Sequence, residues 1–149
     1  MAERMAVEVS VRVTAAPDVV WARLTAHEAM AAWWPGLREV TLDPPGSPDR
    51  NGLGAVRVMR SVGTPVREEV VSWDPPHTYS YRVRNFAPLR EHLGRVTVRP
   101  ADGGAAVDWR IEFRPGVPGT GALLRLGLRW MLDVALRRFK QQVETTPRA

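Results

Sequence analysis

Arg57 and the pair Glu68-Glu69 are the residues of this chain whose types and spacing most readily suggest chemistry. They lie on two β-rich segments either side of Gly63-Thr64-Pro65, which has the composition of a turn. The segments therefore form a hairpin, across which Arg57 can meet Glu68 or Glu69. Both faces of both segments mix apolar and charged residues. Leu53, Ala55, Arg57 and Met59 alternate with Gly54, Val56, Val58 and Arg60. Val66, Glu68, Val70 and Ser72 alternate with Arg67, Glu69, Val71 and Trp73. Whichever face is inward, an ionisable group points toward the interior, where a lone charge is very costly and must be paired or reach water. A carboxylate held there could transfer protons, and a guanidinium could polarise a carbonyl or stabilise an enolate. A partly exposed structural pair is the plainer reading and ranks above a catalytic one.

His27, His77 and His92 are the histidines, and their spacing is neither helical nor finger-like. The chain has no cysteine, so a metal site, a disulfide scaffold and a cysteine nucleophile are not expected. His92 falls near the start of a predicted strand. It could line a pocket mouth as an acid or base, since an ordinary imidazole pKa of about 6.5 suits that role. A loop-edge histidine without a role is commoner. His77 follows Pro75-Pro76 and reads as a turn residue. Tyr79 and Tyr81 could offer phenol groups to a ligand or finish the core with a polar tip. Trp33 and Trp34, before Pro35-Gly36, could gate a pocket or pack under a sheet. There is no nucleophile elbow, P-loop or dinucleotide fingerprint, and no cofactor is expected.

Secondary structure must place these groups. Val7, Val9, Val11 and Val13 alternate with polar residues, which is a half-buried strand. Ala15-Ala16-Pro17-Asp18 opens a helix with Val20, Trp21 and Leu24 on its apolar side, and a second short helix covers residues 27–33. Strands are predicted over residues 37–42, 53–60, 66–73, 78–84, 92–99 and 105–114. In the last of these, Val107, Trp109, Ile111 and Phe113 alternate with Asp108, Arg110 and Glu112. A long helix spans residues 120–144. Leu124, Leu128, Met131 and Ala135 form one stripe on it, and Arg129, Asp133 and Arg137 can pair on another face. The class is α+β: an antiparallel sheet of about six or seven strands, two short helices after the first strand, and one long C-terminal helix. That helix is the only element long enough to cover the sheet's apolar face. A curved sheet around one helix either leaves a cavity lined by inward strand residues and the helix stripe, or is filled by Trp, Tyr and Leu side chains.

The length of 149 residues fits one domain, residues 1–149 with short flexible termini. The net charge is +5 and the pI about 10.9. Of the 21 basic residues all but Lys140 are arginine, interleaved with acids, so codon bias explains the excess at least as well as a polyanion partner does. No nucleic-acid partner is expected. The first residues show no leader pattern. The apolar-rich stretch 121–136 is broken by Arg125, Arg129 and Asp133 and falls short of the ~20 residues that span a bilayer. A cytoplasmic protein, monomer or homodimer, is the expectation.

The order of elements and several motifs resemble the SRPBCC superfamily of START-like, birch-pollen-allergen-like helix-grip proteins, with its polyketide cyclase/dehydrase and lipid-transport members. The resemblance covers nearly the whole chain. It is carried by the run Val13-Thr14-Ala15-Ala16-Pro17-Asp18-Val19-Val20-Trp21, by Trp33-Trp34-Pro35-Gly36 and by Gly52-Leu53-Gly54-Ala55-Val56-Arg57. Glu68-Glu69-Val70-Val71-Ser72-Trp73-Asp74-Pro75-Pro76, Tyr79-Ser80-Tyr81-Arg82-Val83 and Gly103-Gly104 before Val107-Asp108-Trp109 continue it. It implies a deep, mostly apolar cavity between sheet and helix, with Arg57 and Glu68 at positions that often face the cavity or form its polar pair. The ligand-contacting set expected is Arg57, Glu68, Tyr79, Tyr81, His92, Trp109, Leu124, Leu128 and Met131, with Glu68 and His92 as the candidate catalytic groups. Fold does not fix chemistry. A carrier or sensor of a small hydrophobic or aromatic molecule ranks first, a polyketide cyclase/dehydratase-type enzyme second. Third is an interaction module whose basic C-terminal region meets an anionic membrane or an acidic partner.

Overall fold

The valine alternation builds the first strand, β1 (Met5–Val13), in the computed structural model, which describes residues 3–145. Pro17 sits in the first turn of α1 (Pro17–Leu24), where its missing N–H forfeits no helical bond, and Asp18 lies at that helix's positive end. A 3-10 helix, His27–Ala32, follows and buries His27 and Met30. Six strands then run in succession: β2 (Glu39–Leu42), β3 (Val56–Arg60), β4 (Val66–Asp74), β5 (Thr78–Val83), β6 (Leu89–Ala101) and β7 (Gly104–Pro115). The long helix α2 (Gly121–Thr145) comes last. The strands form one antiparallel sheet in the order β1-β7-β6-β5-β4-β3-β2. β1 completes it by pairing with β7 from Met5–Phe113 to Val13–Ala105. α2 lies against β1 and β7. This is the helix-grip fold expected from the sequence.

The core forms where the inward residues of β1 and β7 meet the second half of α2. Val7, Val9, Trp109, Ile111 and Phe113 pack with Leu132, Ala135, Leu136, Phe139 and Val143. The expected helix stripe is therefore only partly right. Ala135 is buried, but Leu124, Leu128 and Met131 are half-buried. The first turns of α2 stand over a cavity, so nothing presses on them as closely as the core presses on Phe139. The expected pairing of Asp133 with Arg129 and Arg137 also does not form; Arg137 Nε donates instead to the Asp133 carbonyl at 3.3 Å. The strand expected from residue 53 begins at Val56, because Gly54 turns the chain with φ 85°.

Two β-bulges decide which side chains face inward. On β4 the register runs Glu68–Val83, Val70–Tyr81, then Ser72–Ser80 and Trp73–Tyr79, so Val71 is an extra residue. Glu68, Val70 and Trp73 consequently share the inner side. This explains why strict alternation along the sequence gave two mixed faces. On β6 the register passes from Arg90–Arg114 to Leu93–Glu112, leaving Glu91 and His92 opposite Phe113. Glu91 carries a positive φ of 49°, and its carboxylate accepts from Arg114 Nε at 2.6 Å. This bulge lets His92 and Leu89 both face inward while Arg90 stays in solvent.

The outer side of the sheet holds many of the arginines. Arg99 pairs with Asp108, Arg110 with Glu8, Arg114 with Glu91, and Arg84 with Glu69. Among the described residues no helix is long and apolar enough to cross a membrane.

Candidate functional site: a cavity with a buried polar floor

Arg57 stands directly opposite Glu68 in the β3–β4 ladder, and the two side chains meet, Nη2 donating to Oε1 at 2.6 Å. Only Glu68 keeps the partial exposure that the plainer sequence reading gave the pair: the Arg57 side chain is 0% and that of Glu68 13% accessible. Arg57 Nη1 donates to Tyr79 Oη at 3.2 Å and lies 3.4 Å from both His27 Nδ1 and Met30 Sδ. The guanidinium carbon sits 4.4 Å from the centre of the Tyr81 ring. Nε has no partner. Burial opposes the charge on Arg57, but Tyr79, Glu68 and Tyr81 around it hold its pKa above the ordinary value.

His27 closes this network from behind. Its Nε2 is 2.8 Å from the Asn51 carbonyl, which can only accept, so Nε2 carries the proton and Nδ1 offers its lone pair to Arg57. Burial, and then the Arg57 charge, lower its pKa to about 3, so the ring is neutral.

On the near side of Arg57 the sheet and the first half of α2 enclose a cavity of about 340 Å³. This lies at the small end of the range for small-molecule sites. Most of its wall is apolar, including Trp34, Leu37, Met59, Val83, Ile111, Leu128 and Met131. The polar exceptions are Ser61, Glu68, Tyr81 and His92. Gly36, Ser61 and Phe86 are exposed and mark the mouth, while Tyr81 and His92 are buried at the floor.

Each floor residue keeps one hydrogen-bonding group unspent. Glu68 Oε1 takes the Arg57 bond, and Oε2 has no protein partner among the described residues. Burial pushes the Glu68 carboxyl up, with the Arg57 charge and hydrogen bond pulling against it. Tyr81 Oη accepts from Trp109 Nε1 at 2.8 Å, and its own O–H remains to donate. Burial raises the Tyr81 pKa well above that of a free phenol, followed by the charge of Glu68, so the O–H is retained. His92 Nδ1 accepts from the Val83 amide at 3.2 Å, just past the end of the β5–β6 ladder at Tyr81–Gly94. That leaves the His92 proton on Nε2. Burial, then the Arg57 charge, lower its pKa to about 4. The floor therefore presents two neutral donors beside one carboxylate. A β-carbon on Gly94 would lie 2.2 Å from Tyr81 Cζ, so the ring reaches its place only because residue 94 has no side chain.

Of the residues expected to touch a ligand, Glu68, Tyr81, His92, Leu128 and Met131 are on the cavity wall. Arg57, Tyr79 and Trp109 are not: they are fully buried behind it, where they hold Glu68 and Tyr81 in place. Leu124 packs against the core away from the wall. The paired tryptophans divide, Trp33 packing on Phe139 at 5.2 Å and Trp34 on the wall. His27 and Met30 support Arg57; the sequence reading weighed His27 only as a metal ligand and did not single out Met30. Their i, i+3 spacing was the available signal. Among the described residues no group of three or more His, Asp or Glu is placed to hold a metal ion.

Sheet, gripped helix and enclosed cavity define a helix-grip protein of the SRPBCC type, and comparison with known proteins agrees. The chain belongs to the polyketide cyclase/dehydrase and lipid transport family, whose profile matches residues 4–144. Among solved structures, Ara h 8.0201 is 12% identical with TM-score 0.77, covering 97% of this chain and 100% of that one. Norcoclaurine synthase from Thalictrum flavum, in complex with dopamine and hydroxybenzaldehyde, is 12% identical with TM-score 0.75 over 99% of this chain and 91% of that one. The di-domain ARO/CYC BexL of the BE-7585A biosynthetic pathway is 19% identical with TM-score 0.75. The match covers 97% of this chain but 51% of BexL. At these identities the likeness is one of fold. A search of curated proteins found no match.

Proposed function

We propose that the protein binds a small, mostly apolar or aromatic molecule with one polar end, held in the cavity between the sheet and α2. The observation that carries this reading is the convergence of Glu68, Tyr81 and His92 at the floor of an otherwise apolar wall. The apolar body of the ligand displaces water from the wall, and a carbonyl or hydroxyl at its end takes up the unspent O–H, N–H and carboxylate. Native mass spectrometry of the purified protein should find a co-purified small molecule. Small aromatic carbonyl compounds should raise the melting temperature, and Leu128→Trp, which fills the wall, should abolish that rise while the protein stays folded. Equal shifts in wild type and Leu128→Trp would refute the reading.

A second reading, proton-transfer catalysis of the cyclase/dehydratase type, draws on the same floor. A carboxyl raised by burial and two neutral donors on one face suit removal of a proton next to a carbonyl. The family's description includes cyclases and dehydrases beside lipid transport, and among the structural relatives norcoclaurine synthase is an enzyme by name. The test is turnover of a poly-β-ketone substrate by wild type and by His92→Gln. Catalysis requires loss of turnover with ligand affinity retained.

A further inference from the structure

We propose that the rim of the cavity mouth docks on an anionic lipid bilayer. Six of the eight large apolar side chains left in solvent among the described residues lie on the loops at this end and on the first half of α2. Val62, Phe86, Val117, Leu123, Leu126 and Trp130 are all exposed, from 42% for Phe86 to 86% for Val62. They come from three segments that are tied together. Asn85 joins its loop to the β3–β4 turn, donating to the Pro65 carbonyl at 2.9 Å and accepting from the Arg67 amide at 2.8 Å. The Gly116 amide donates to the Pro88 carbonyl at 3.0 Å and joins the same loop to the segment leading into α2. Phe86 lines the cavity mouth as well as facing solvent, and Leu123, Leu126 and Trp130 form one exposed stripe, at i, i+3 and i+7, on the side of α2 turned away from the cavity-lining Leu128.

The charge of this end indicates its partner. Residues 61–65, 84–88 and 116–132 contain Arg84, Arg125 and Arg129 and no acidic residue. The sheet face differs: Arg99, Arg110 and Arg114 all have carboxylate partners there. Arg84 pairs with Glu69, but Arg125 and Arg129 have no ion-pair partner among the described residues. Separate apolar points, a tryptophan and unpaired arginines suit a surface with an oily interior and negative headgroups. A second copy of the chain suits it less, since a two-fold contact would set arginine against arginine. Docking this way would bring the cavity mouth to the lipid surface, so an apolar molecule could pass between bilayer and cavity without crossing water.

The test is flotation of the purified protein with phosphatidylcholine vesicles, with and without phosphatidylglycerol, at low and high salt. Vesicles alone are the probe, so the result does not depend on the ligand reading. Binding should require the anionic lipid and fall with salt. Each arginine near such a surface gives roughly a fivefold gain, so Arg125→Gln/Arg129→Gln should bind roughly 25-fold more weakly. Leu126→Ser/Trp130→Ser should lose binding with an unchanged melting temperature, since both side chains are exposed. No binding to anionic vesicles, or equal binding by the variants, would overturn the proposal. So would light scattering showing that Leu126→Ser/Trp130→Ser splits a dimer while vesicle binding is unaltered.

Discussion

Removing either member of the Arg57–Glu68 pair should destabilise the protein, and the two losses should be unequal. The partners meet at 2.6 Å with the guanidinium wholly buried. Charge centres about 4 Å apart attract by about 4 kcal/mol at an effective dielectric of about 20. Breaking a buried pair from one side typically costs about 3–5 kcal/mol, which agrees. In Glu68→Gln the guanidinium cannot lose its proton and is left as an unneutralised charge, so the full cost is expected. For a chain of this length that lowers the melting temperature by roughly 6–20 °C. In Arg57→Met the remaining carboxyl can take up a proton, as burial already favours, and part of it reaches the cavity. The loss should then be smaller, roughly 1–3 kcal/mol at pH 7, and should shrink further in mild acid as Glu68 becomes neutral. The double variant Arg57→Met/Glu68→Gln should be more stable than Glu68→Gln alone. Urea unfolding followed by circular dichroism at pH 7 and pH 5 measures all three. A Glu68→Gln loss below about 0.5 kcal/mol, or an Arg57→Met loss as large as that of Glu68→Gln, would show that the pair is not held as described.

Three further outcomes follow from the same geometry. His27 and His92 have pKa values lowered to about 3 and about 4 in the folded protein, so the unfolded chain binds protons that the fold excludes. Their stabilisation is full above pH 6.5 and lost as pH falls toward those values, up to about 5 kcal/mol for His27 and about 3 for His92, with the raised carboxyl of Glu68 working in the opposite sense. Urea midpoints measured against pH should show this acid limb, and His27→Gln should flatten it. Gly94→Ala should displace the Tyr81 ring and cost about 1–3 kcal/mol, visible as a lower melting temperature and a changed near-ultraviolet dichroism. Tyr81→Phe removes the acceptor of the Trp109 indole and should cost about 1–3 kcal/mol, and Trp109→Phe, which also empties core volume, should cost less in the Tyr81→Phe background than in wild type in the same unfolding assay.

Most of the fold was legible because its signals are local. The β7 alternation of Val107, Trp109, Ile111 and Phe113 needs no tertiary information to show which side is buried. The floor of the cavity was only half legible. Glu68, Tyr81 and His92 drew attention by residue type, and the turn at Gly63 brought Arg57 to Glu68. The bulges at Val71 and Glu91 have no distinct sequence signal, so alternation alone could not show that Glu68 and Trp73 share a side. Arg57, Tyr79 and Trp109 were expected to touch a ligand because polar and aromatic groups on inward strands often do. Depth separates them from Tyr81, and depth depends on how α1 and the 3-10 helix close over that part of the sheet. The helix stripe drifted for a related reason. Periodicity gives the direction of a side chain, while the extent of its burial depends on where the sheet ends.

The two bulges also bear on how such a cavity diverges. An extra residue in a strand would normally turn every residue beyond it to the opposite side. At Val71 and Glu91 the chain absorbs the extra residue in a local kink, so the residues on either flank keep their facing. Deleting either one would restore a regular strand with the same wall: Val70 and Trp73 still inward on β4, Leu89 and His92 still inward on β6. These are places where a codon can be gained or lost while the lining survives. Sheet curvature and cavity shape can thus change by insertion and deletion, independently of the substitutions that change the chemistry.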